Sequence, residues 1–371
     1  MAQTSLDDHL RRDVFYLIGC SYDGKVGKAC LKLLNPENQE VRLLYDETGH
    51  KPYCYVKEPP ERVRELKLPG VVEVTSERKY DLLRDREVEV TKIIASDPLA
   101  VGGGSSSIRE RIKAWEADIP YHLCYLYDME LTPSMPYSLA DGKLIEAAPR
   151  SERIRSILDT HFKDFPEDER RILADWLNLL EAGQPKFKHL SLDIEVLSPV
   201  ATRVPSPSKA RDKVSAIAFV GSDGRREVFL LKTPSLGEVG DGGEFAIRVY
   251  EDEVEMLRDA FEVIGEYPVI ATFNGDDFDL PYLRHRAEVL KMPKDVVPIS
   301  LGREGASLKH GIHVDLYRFF MNRSIQVYAF DNKYREHTLE AIAQAILGKG
   351  KVIIEKPIGE LSGTELARYC F

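Results

Sequence analysis

The sequence lacks the features that would place the protein in a membrane or outside the cell. Its 371 residues contain no apolar run near the roughly 20 residues that cross a bilayer. The first residues, MAQTSLDDHLRRDVFYLIG, carry acids and no long apolar stretch, so we expect no signal peptide. The five cysteines are odd in number and form no Cys-x-x-Cys pair, which argues against a disulfide framework or a cysteine zinc site. These absences predict a cytoplasmic protein without a membrane partner.

An excess of basic residues is also missing. The chain has 51 Lys and Arg against 61 Asp and Glu, a net charge of −10. A protein that binds duplex DNA usually has a cluster of basic residues on its surface. Two interpretations are open: the protein does not bind nucleic acid, or its acids serve metal ions and its basic surface lies elsewhere.

The amino-terminal third is β-rich. From residue 14 to about residue 95, short apolar runs alternate with turn sequences such as SYDGK and NPENQE. This pattern predicts a β-rich, barrel-like domain over residues 1–145. The glycine- and serine-rich stretch 102–107 is expected to be a loop, and residues 108–116 to form a short charged helix.

We expect a helical connector at 146–186. The sequence after it has a mixed α/β pattern. Beyond it, the pattern predicts a hairpin between residues 214 and 232, a helix capped by Asp252, and a strand at 268–273. Strands followed by a helix and another strand favour a ribonuclease H-like α/β domain over residues 187–371.

Two acids lie on one face of a predicted strand. In Leu190–Val196, LSLDIEV, the apolar residues share one face, and Asp193 and Glu195 share the other. Adjacent carboxylates repel, whereas Mg²⁺ or Mn²⁺ prefers such hard oxygen ligands. The alternative is a strand with an exposed acidic face.

A second acidic segment follows the strand predicted at 268–273. It reads FNGDDFDLPYL, with a glycine turn and then a helix starting near Leu280. Asp279 lies just past the carboxyl end of a strand, where sites of α/β proteins gather, and it could face the same metal as Asp193. The alternative role of Asp279 is to cap the helix. Asp276 and Asp277 are expected to be solvated turn acids.

Together these segments resemble the first two exonuclease motifs of archaeal family B DNA polymerases, members of the DEDD exonuclease group. The stretches at 311–317 and 337–342 are also similar to archaeal members. The third motif of the family is Tyr-x-x-x-Asp, and Tyr369 resembles its tyrosine. Its aspartate would fall two residues beyond Phe371, so we expect these 371 residues alone to have low nuclease activity.

The resemblance implies two divalent metal ions, Mg²⁺ or Mn²⁺, and a role for each motif residue. Asp193 would bridge both ions, Glu195 would bind the water-activating ion, and Asp279 would hold the other. Tyr369 would orient the attacking water.

The resemblance also implies DNA contacts. Asn274 and Phe278 would contact the frayed 3′-terminal nucleotides of single-stranded DNA, although Phe278 could equally pack in the core. Asp315 is expected at a strand end or helix start in a structural role, and His313 and His337 are not assigned as ligands.

The amino-terminal residues resemble a pocket that detects uracil in the template strand of archaeal family B enzymes. Pro52, Tyr53, Pro98 and Val101 match pocket-lining positions. Cys124 departs from some relatives, which have an arginine there. The alternative is a β-domain in which these residues merely pack.

The resulting hypothesis is the amino-terminal and proofreading 3′→5′ exonuclease segment of a DNA-directed DNA polymerase in replication, associated with the nucleoid. Its partners would be single-stranded and primer–template DNA. A sliding clamp would bind through a part of the polymerase outside these 371 residues. The alternatives are a free-standing DEDD exonuclease and a non-catalytic DNA-binding module.

Overall fold

The computed structural model describes residues 14–371 apart from short gaps. The gaps are residues 141, 148–151, 182–184, 199–204, 235, 238, 303–304, 351–355 and 357–359. The chain divides into two units. Unit 1 comprises the described residues of Met1–Pro36 and Arg42–Pro185, and unit 2 those of Glu37–Val41 and Lys186–Phe371. The three-part division at residues 145 and 186 stays a prediction.

The amino-terminal part of the chain contains eight of the named strands and six of the named helices. Its strands are β1 Val14–Asp23, β2 Lys28–Leu34, β3 Val41–Tyr45, β4 Tyr53–Val56, β5 Val71–Asp81, β6 Arg86–Ala95, β7 Pro136–Ala140 and β8 Lys143–Glu146. Its helices are α1 Pro60–Glu65, α2 Pro98–Gly102, α3 Ile108–Arg111, α4 Tyr121–Asp128, α5 Glu152–His161 and α6 Glu167–Glu181.

These strands form two open sheets, so the expected barrel-like closure is wrong for the described residues. One sheet has the order β3-β2-β1-β7-β8 and the other the order β4-β6-β5. A barrel requires the outer strands to pair with each other. Here α1 lies between β4 and β5, α2 to α4 lie between β6 and β7, and each sheet keeps two unpaired edges.

The glycine-rich stretch at 102–107 does not lie wholly in a loop. Asp97 caps α2 by accepting hydrogen bonds from the Leu99 and Ala100 amides, and the helix includes Gly102. A Cβ at Gly102 would overlap the carbonyl oxygen of Ala117, so close packing requires glycine there. The following helix is also shorter than expected and ends at Arg111.

Unit 2 carries the remaining elements. Its strands are β9 His189–Leu197, β10 Lys213–Gly221, β11 Arg226–Leu231, β12 Ala246–Tyr250, β13 Val269–Thr272, β14 Ile299–Gly302, β15 Gly305–Leu308 and β16 Ile312–Asp315. Its helices are α7 Glu253–Gly265, α8 Asp279–Val289, α9 Leu316–Met321, α10 Leu339–Leu347 and α11 Gly363–Cys370, with a π-helical segment at Ile325–Ala329.

A six-stranded mixed sheet organises this unit, in the order β12-β11-β10-β9-β13-β16. β9, β10 and β11 are antiparallel neighbours, which confirms the predicted hairpin. β13 runs parallel to both β9 and β16. α7, capped by Asp252 as predicted, precedes β13, so a helix connects the antiparallel half to the parallel half.

The sheet is buried on both faces because alternate side chains of its central strands enter different apolar clusters. Leu192 and Ile194 of β9 pack with residues of α7 and α8 in one cluster. Ala216 and Ala218 of β10 pack with α11 in another. Each face is therefore covered by helices, as expected for an α/β layer structure.

A buried ion pair ties α8 to α7 and to the start of β10. Arg286 donates from Nε and Nη2 to the Glu253 carboxylate at 2.8 and 2.6 Å, and both side chains are about 6% exposed. Glu253 also accepts the Val214 amide at 3.0 Å, and Arg286 donates to the carbonyls of Ala210 and Arg211. These bonds satisfy both charges without water.

No helix among the described residues is both long and apolar enough to span a membrane.

Arg286→Met should lower the free energy of unfolding by about 3–5 kcal/mol, because Glu253 would stay buried without its cation. Arg284→Met on the same helix is the matched control. Its partner Glu288 is half exposed, so the loss should stay below about 1 kcal/mol. Urea unfolding followed by circular dichroism measures both, and equal losses would contradict the prediction.

Candidate active site

Asp193 and Glu195 lie on the side of β9 that faces α11. Their cross-strand neighbours on β10 are Ala218 and Ala216, whose side chains belong to the cluster with α11. Directly paired residues of antiparallel strands share a face, so the two carboxylates lie on that side. Small alanine neighbours leave room for them. The predicted alternation is confirmed by burial, since Leu192, Ile194 and Val196 are buried in the cluster with α7 and α8.

Asp279 brings a third carboxylate to this place. It is the first residue of α8 rather than its cap, and its side chain is 3% exposed. Its Oδ1 accepts the backbone N–H of Ile194, between the two strand acids, at 3.1 Å. β13 pairs in parallel with the first half of β9, so the turn that follows β13 emerges level with Asp193.

The pKa of Asp279 reflects its burial and the charges near it. Burial raises it most, the negative charge of Asp193 raises it further, and Glu195 adds to the effect. The hydrogen bond from Ile194 stabilises the charged form but does not offset these effects, and the pKa reaches about 8. Without a cation, Asp279 therefore holds a proton at neutral pH.

Tyr369 lies near the end of α11, half-buried at the edge of the cluster that this helix forms with β10 and β11. The neighbouring Cys370 is buried, with its Sγ 3.9 Å from the carbonyl oxygen of Asp193. Burial raises the pKa of the Cys370 thiol, and the charges of Asp193, Glu195 and Asp279 raise it further. The end of α11 thus lies beside the carboxylates.

The turn between β13 and α8 carries Asn274 and Phe278. Asn274 has a positive φ of 66°, which few residues other than glycine adopt. Phe278 is half-buried and packs against the apolar cluster of β9, α7 and α8, with its ring centroid 5.6 Å from that of Tyr282. Both side chains keep exposed surface in the same short turn as Asp279.

Asp276 is not the solvated acid that the sequence suggested. Its side chain is 9% exposed and contacts Arg318 Nε at 2.9 Å and His313 Nδ1 at 3.3 Å. The neighbouring Asp277 is exposed, as predicted. Asp315 ends β16 and caps α9, which confirms its expected structural position. The strand alternation of β16 places His313 and Asp315 on one side, and this was the sequence signal that could have predicted polar contacts there.

Within the described residues, no group of three or more His, Cys, Asp or Glu side chains is arranged to hold a metal ion. The donor chemistry nevertheless fits a hard cation, because the carboxylates of Asp193, Glu195 and Asp279 repel one another. Asp279 is buried, Glu195 is half-buried and Asp193 is exposed. Like charges that repel at one place are the electrostatic condition that a divalent cation reverses.

The four residues matched to a uracil pocket do not share one surface. Tyr53 is buried on one face of β4 with Tyr55 and Cys124, and its hydroxyl donates to Asp128 at 3.1 Å. Val101 packs in the cluster of the opposite face, with Cys54. Pro52 is buried and Pro98 is half-buried. The uracil pocket stays a prediction.

Comparison with known proteins decides the family. The model of the exonuclease domain of DNA polymerase family B matches residues 112–341, more than half of the chain. The chain belongs to DNA polymerase family B. The match includes Asp193, Glu195, Asn274 and Asp279, whereas Tyr369 lies beyond it.

Relatives of this family B chain are archaeal. DNA polymerase 1 of Aeropyrum pernix is 39% identical over 370 residues, which cover 95% of this chain and 38% of that protein. DNA polymerase 1 of Saccharolobus solfataricus is 37% identical over 377 residues, covering 99% and 42%. The chain thus spans about two fifths of the length of these relatives. The resemblance to archaeal family B polymerases is confirmed.

A solved family B DNA polymerase from Pyrobaculum calidifontis has a similar fold, with a TM-score of 0.60 at 20% sequence identity. The similarity covers 92% of this chain and 41% of that one. The fold comparison therefore extends over both units of this family B chain.

The raised pKa of Asp279 predicts how the metal-free chain responds to pH. Asp279 ionises near pH 4 when unfolded and near pH 8 when folded, so folding retains a proton between these values. The stability of the wild type should therefore fall as pH rises from about 4 to 8. Asp279→Asn removes this dependence and should be more stable than wild type at pH 8 by at least ~1 kcal/mol, with a smaller difference at pH 5.

Chemical unfolding at both pH values, with a chelator present, measures these differences. Asp277→Asn is the control, because Asp277 lies in the same turn but is exposed. A stability difference between Asp279→Asn and wild type that is the same at pH 5 and pH 8 would contradict the assignment.

Proposed function

We propose that the chain is the proofreading 3′→5′ exonuclease portion of a DNA-directed DNA polymerase that acts in DNA replication. The observation that carries this proposal is the convergence of Asp193 and Glu195 of the central strand β9 with Asp279 of α8, where burial and then the charges of Asp193 and Glu195 raise the pKa of Asp279 to about 8. Strongly perturbed carboxylates that share a site are typical of catalytic centres. The names of the archaeal relatives, DNA polymerase 1, support the same assignment.

The sheet of unit 2 is proposed to be ribonuclease H-like. Its core order is β11-β10-β9-β13-β16, with the first three strands antiparallel and β9, β13 and β16 parallel. The central strand β9 carries Asp193 and Glu195, and the carboxyl end of its parallel neighbour leads to Asp279. This is the position at which α/β sheets place their ligands.

Asp193, Glu195 and Asp279 would hold the divalent cations, two Mg²⁺ or Mn²⁺ ions. Such ions supply positive charge to the scissile phosphate and lower the pKa of the attacking water. Asp279 must lose its proton to act as a ligand, and its raised pKa means that cation binding releases that proton near neutral pH.

The chain's other residues would bind and orient the substrate. Asn274 offers an amide and Phe278 an aromatic face to the unpaired 3′-terminal nucleotides, a combination suited to single-stranded DNA. The Tyr369 hydroxyl would orient the water that attacks the terminal phosphodiester. Hydrolysis breaks the P–O3′ bond, leaving a 3′-hydroxyl on the strand and releasing a nucleoside 5′-monophosphate.

DNA synthesis, primer–template DNA and a sliding clamp are proposals for the whole protein. They are supported by the names and the greater length of the relatives. The net charge of −10 is consistent with a unit that holds cations at its active site, because the cations supply the positive charge that the phosphate needs.

Metal binding tests the carboxylate assignment. The wild type should bind Mn²⁺ at pH 7.5, and Asp193→Asn should weaken binding by at least about tenfold, because even partners of metal ligands cost 10–100-fold when removed. Calorimetric titration measures the affinity, with Asp277→Asn as a control that should bind like wild type. Unchanged Mn²⁺ binding by Asp193→Asn would contradict the site and favour a non-catalytic DNA-binding module.

Stacking by Phe278 makes a separate prediction. Phe278→Leu keeps an apolar side chain for core packing but removes the aromatic face. It should raise the Kd for an oligothymidylate by at least about fivefold, since base–aromatic stacking contributes about 1–3 kcal/mol. Fluorescence anisotropy measures binding, and Phe162→Leu, an aromatic residue outside the site, is the control. Equal Kd values for Phe278→Leu and wild type would assign Phe278 to packing alone.

A further inference from the structure

We propose that Asp315 is a positioning residue for the substrate strand, holding the turn that carries Asn274 and Phe278. It acts through the turn and not as a metal ligand. The inference rests on the proposed function, because it concerns how the same site binds single-stranded DNA.

Both carboxylate oxygens of Asp315 accept backbone amides. Oδ1 accepts the Asn274 N–H at 2.8 Å and the Tyr317 N–H at 2.9 Å, and Oδ2 accepts the Asp276 N–H at 3.0 Å. The side chain is 8% exposed, so these bonds are shielded from water. Charge-assisted bonds of this kind are stronger than neutral ones. One residue of β16 thus binds two backbone amides of the turn, those of Asn274 and Asp276.

The backbone of the turn has a defined, uncommon conformation. Asn274 has a φ of 66°, in the left-handed region that asparagine adopts more readily than other residues with a side chain. A Cβ on Gly275 would overlap the Thr272 side chain, so the turn is also tightly packed. The Phe278 amide donates to the Asn274 carbonyl at 3.1 Å, which links the two proposed strand contacts.

A second set of contacts holds Asp276, the residue whose amide Asp315 accepts. Asp276 Oδ1 accepts the Ala306 amide at 2.8 Å, and its carboxylate also contacts His313 and Arg318. Burial lowers the pKa of His313, which favours the neutral ring. Its Nδ1–H then faces Asp276 while Nε2 accepts the Thr272 hydroxyl at 2.8 Å. The turn is therefore connected through side chains to β13, β15 and β16.

Asp279 is less dependent on this support. Its carboxylate accepts a separate hydrogen bond from the Ile194 amide of β9. Asp279 also starts α8, which packs in the apolar cluster with β9 and α7. Loss of the Asp315 carboxylate should therefore weaken binding of the DNA strand more than binding of the cation. A residue with only a general structural role would weaken both together or neither.

Asp315→Asn tests this difference. Asparagine keeps the size and can still cap α9 through Oδ1, but its Nδ2 would face the Asp276 N–H, so that the turn loses an acceptor. The Kd of the folded variant for an oligothymidylate should rise about tenfold, while its Kd for Mn²⁺ changes less than about threefold. Asp252→Asn, the same change at the cap of α7, is the control and should alter neither affinity.

Thr272→Val provides an independent test if Asp315→Asn does not fold. It keeps the shape of the side chain but removes the hydroxyl that His313 accepts, and should raise the oligothymidylate Kd about threefold. Unchanged oligothymidylate binding by the folded Asp315→Asn, or by Thr272→Val when the first variant is unfolded, would overturn the inference. Equal losses of DNA and Mn²⁺ affinity would also overturn it.

Phe278→Leu separates failure of this inference from failure of the proposed function. If Phe278→Leu weakens binding of the oligonucleotide and Asp315→Asn does not, only the positioning role is wrong. If neither variant weakens DNA binding and Asp193→Asn does not weaken Mn²⁺ binding, the proposed exonuclease site itself is wrong.

Discussion

The hydrogen bond from the Ile194 amide to Asp279 is the contact on which the candidate site depends. It joins the first residue of α8 to the middle of β9 and so brings the third carboxylate beside Asp193 and Glu195. Burial and repulsion oppose this arrangement and raise the pKa of Asp279 to about 8. The surrounding fold supplies the stability that the site itself lacks, in part through the buried pair of Arg286 and Glu253.

Polar contacts support the conformation of the turn that leads to Asp279. Asp315 accepts hydrogen bonds from backbone amides of the turn, and the Asp276 side chain contacts His313 and Arg318. Such bonds have defined directions, so they fix a backbone conformation more closely than side-chain packing alone. Rigid support of this kind suits the proposed binding of a flexible single strand in one geometry.

In unit 1, the local sequence pattern predicted strands but not how those strands pair. The β-rich character was predicted correctly, but the strands pair into two open sheets and not into a barrel. β4 divides the predicted uracil residues between its faces, since Tyr53 packs on one side and Val101 in the cluster on the other. Short motifs report residue identity, whereas a pocket depends on which residues the sheet brings to one face.

The sequence by itself determined the local elements of the site: the alternation of β9, the hairpin of β10 and β11, the cap of α7 by Asp252, and the position of Asp279 after a strand. These follow from periodicity and capping, which act over a few residues. Only the tertiary structure decided that the sheets of unit 1 stay open, that Asp276 is buried, and that Asp315 holds the turn. Those features depend on the pairing of strands that lie far apart in the chain, such as β13 with β16, and no local pattern specifies that pairing.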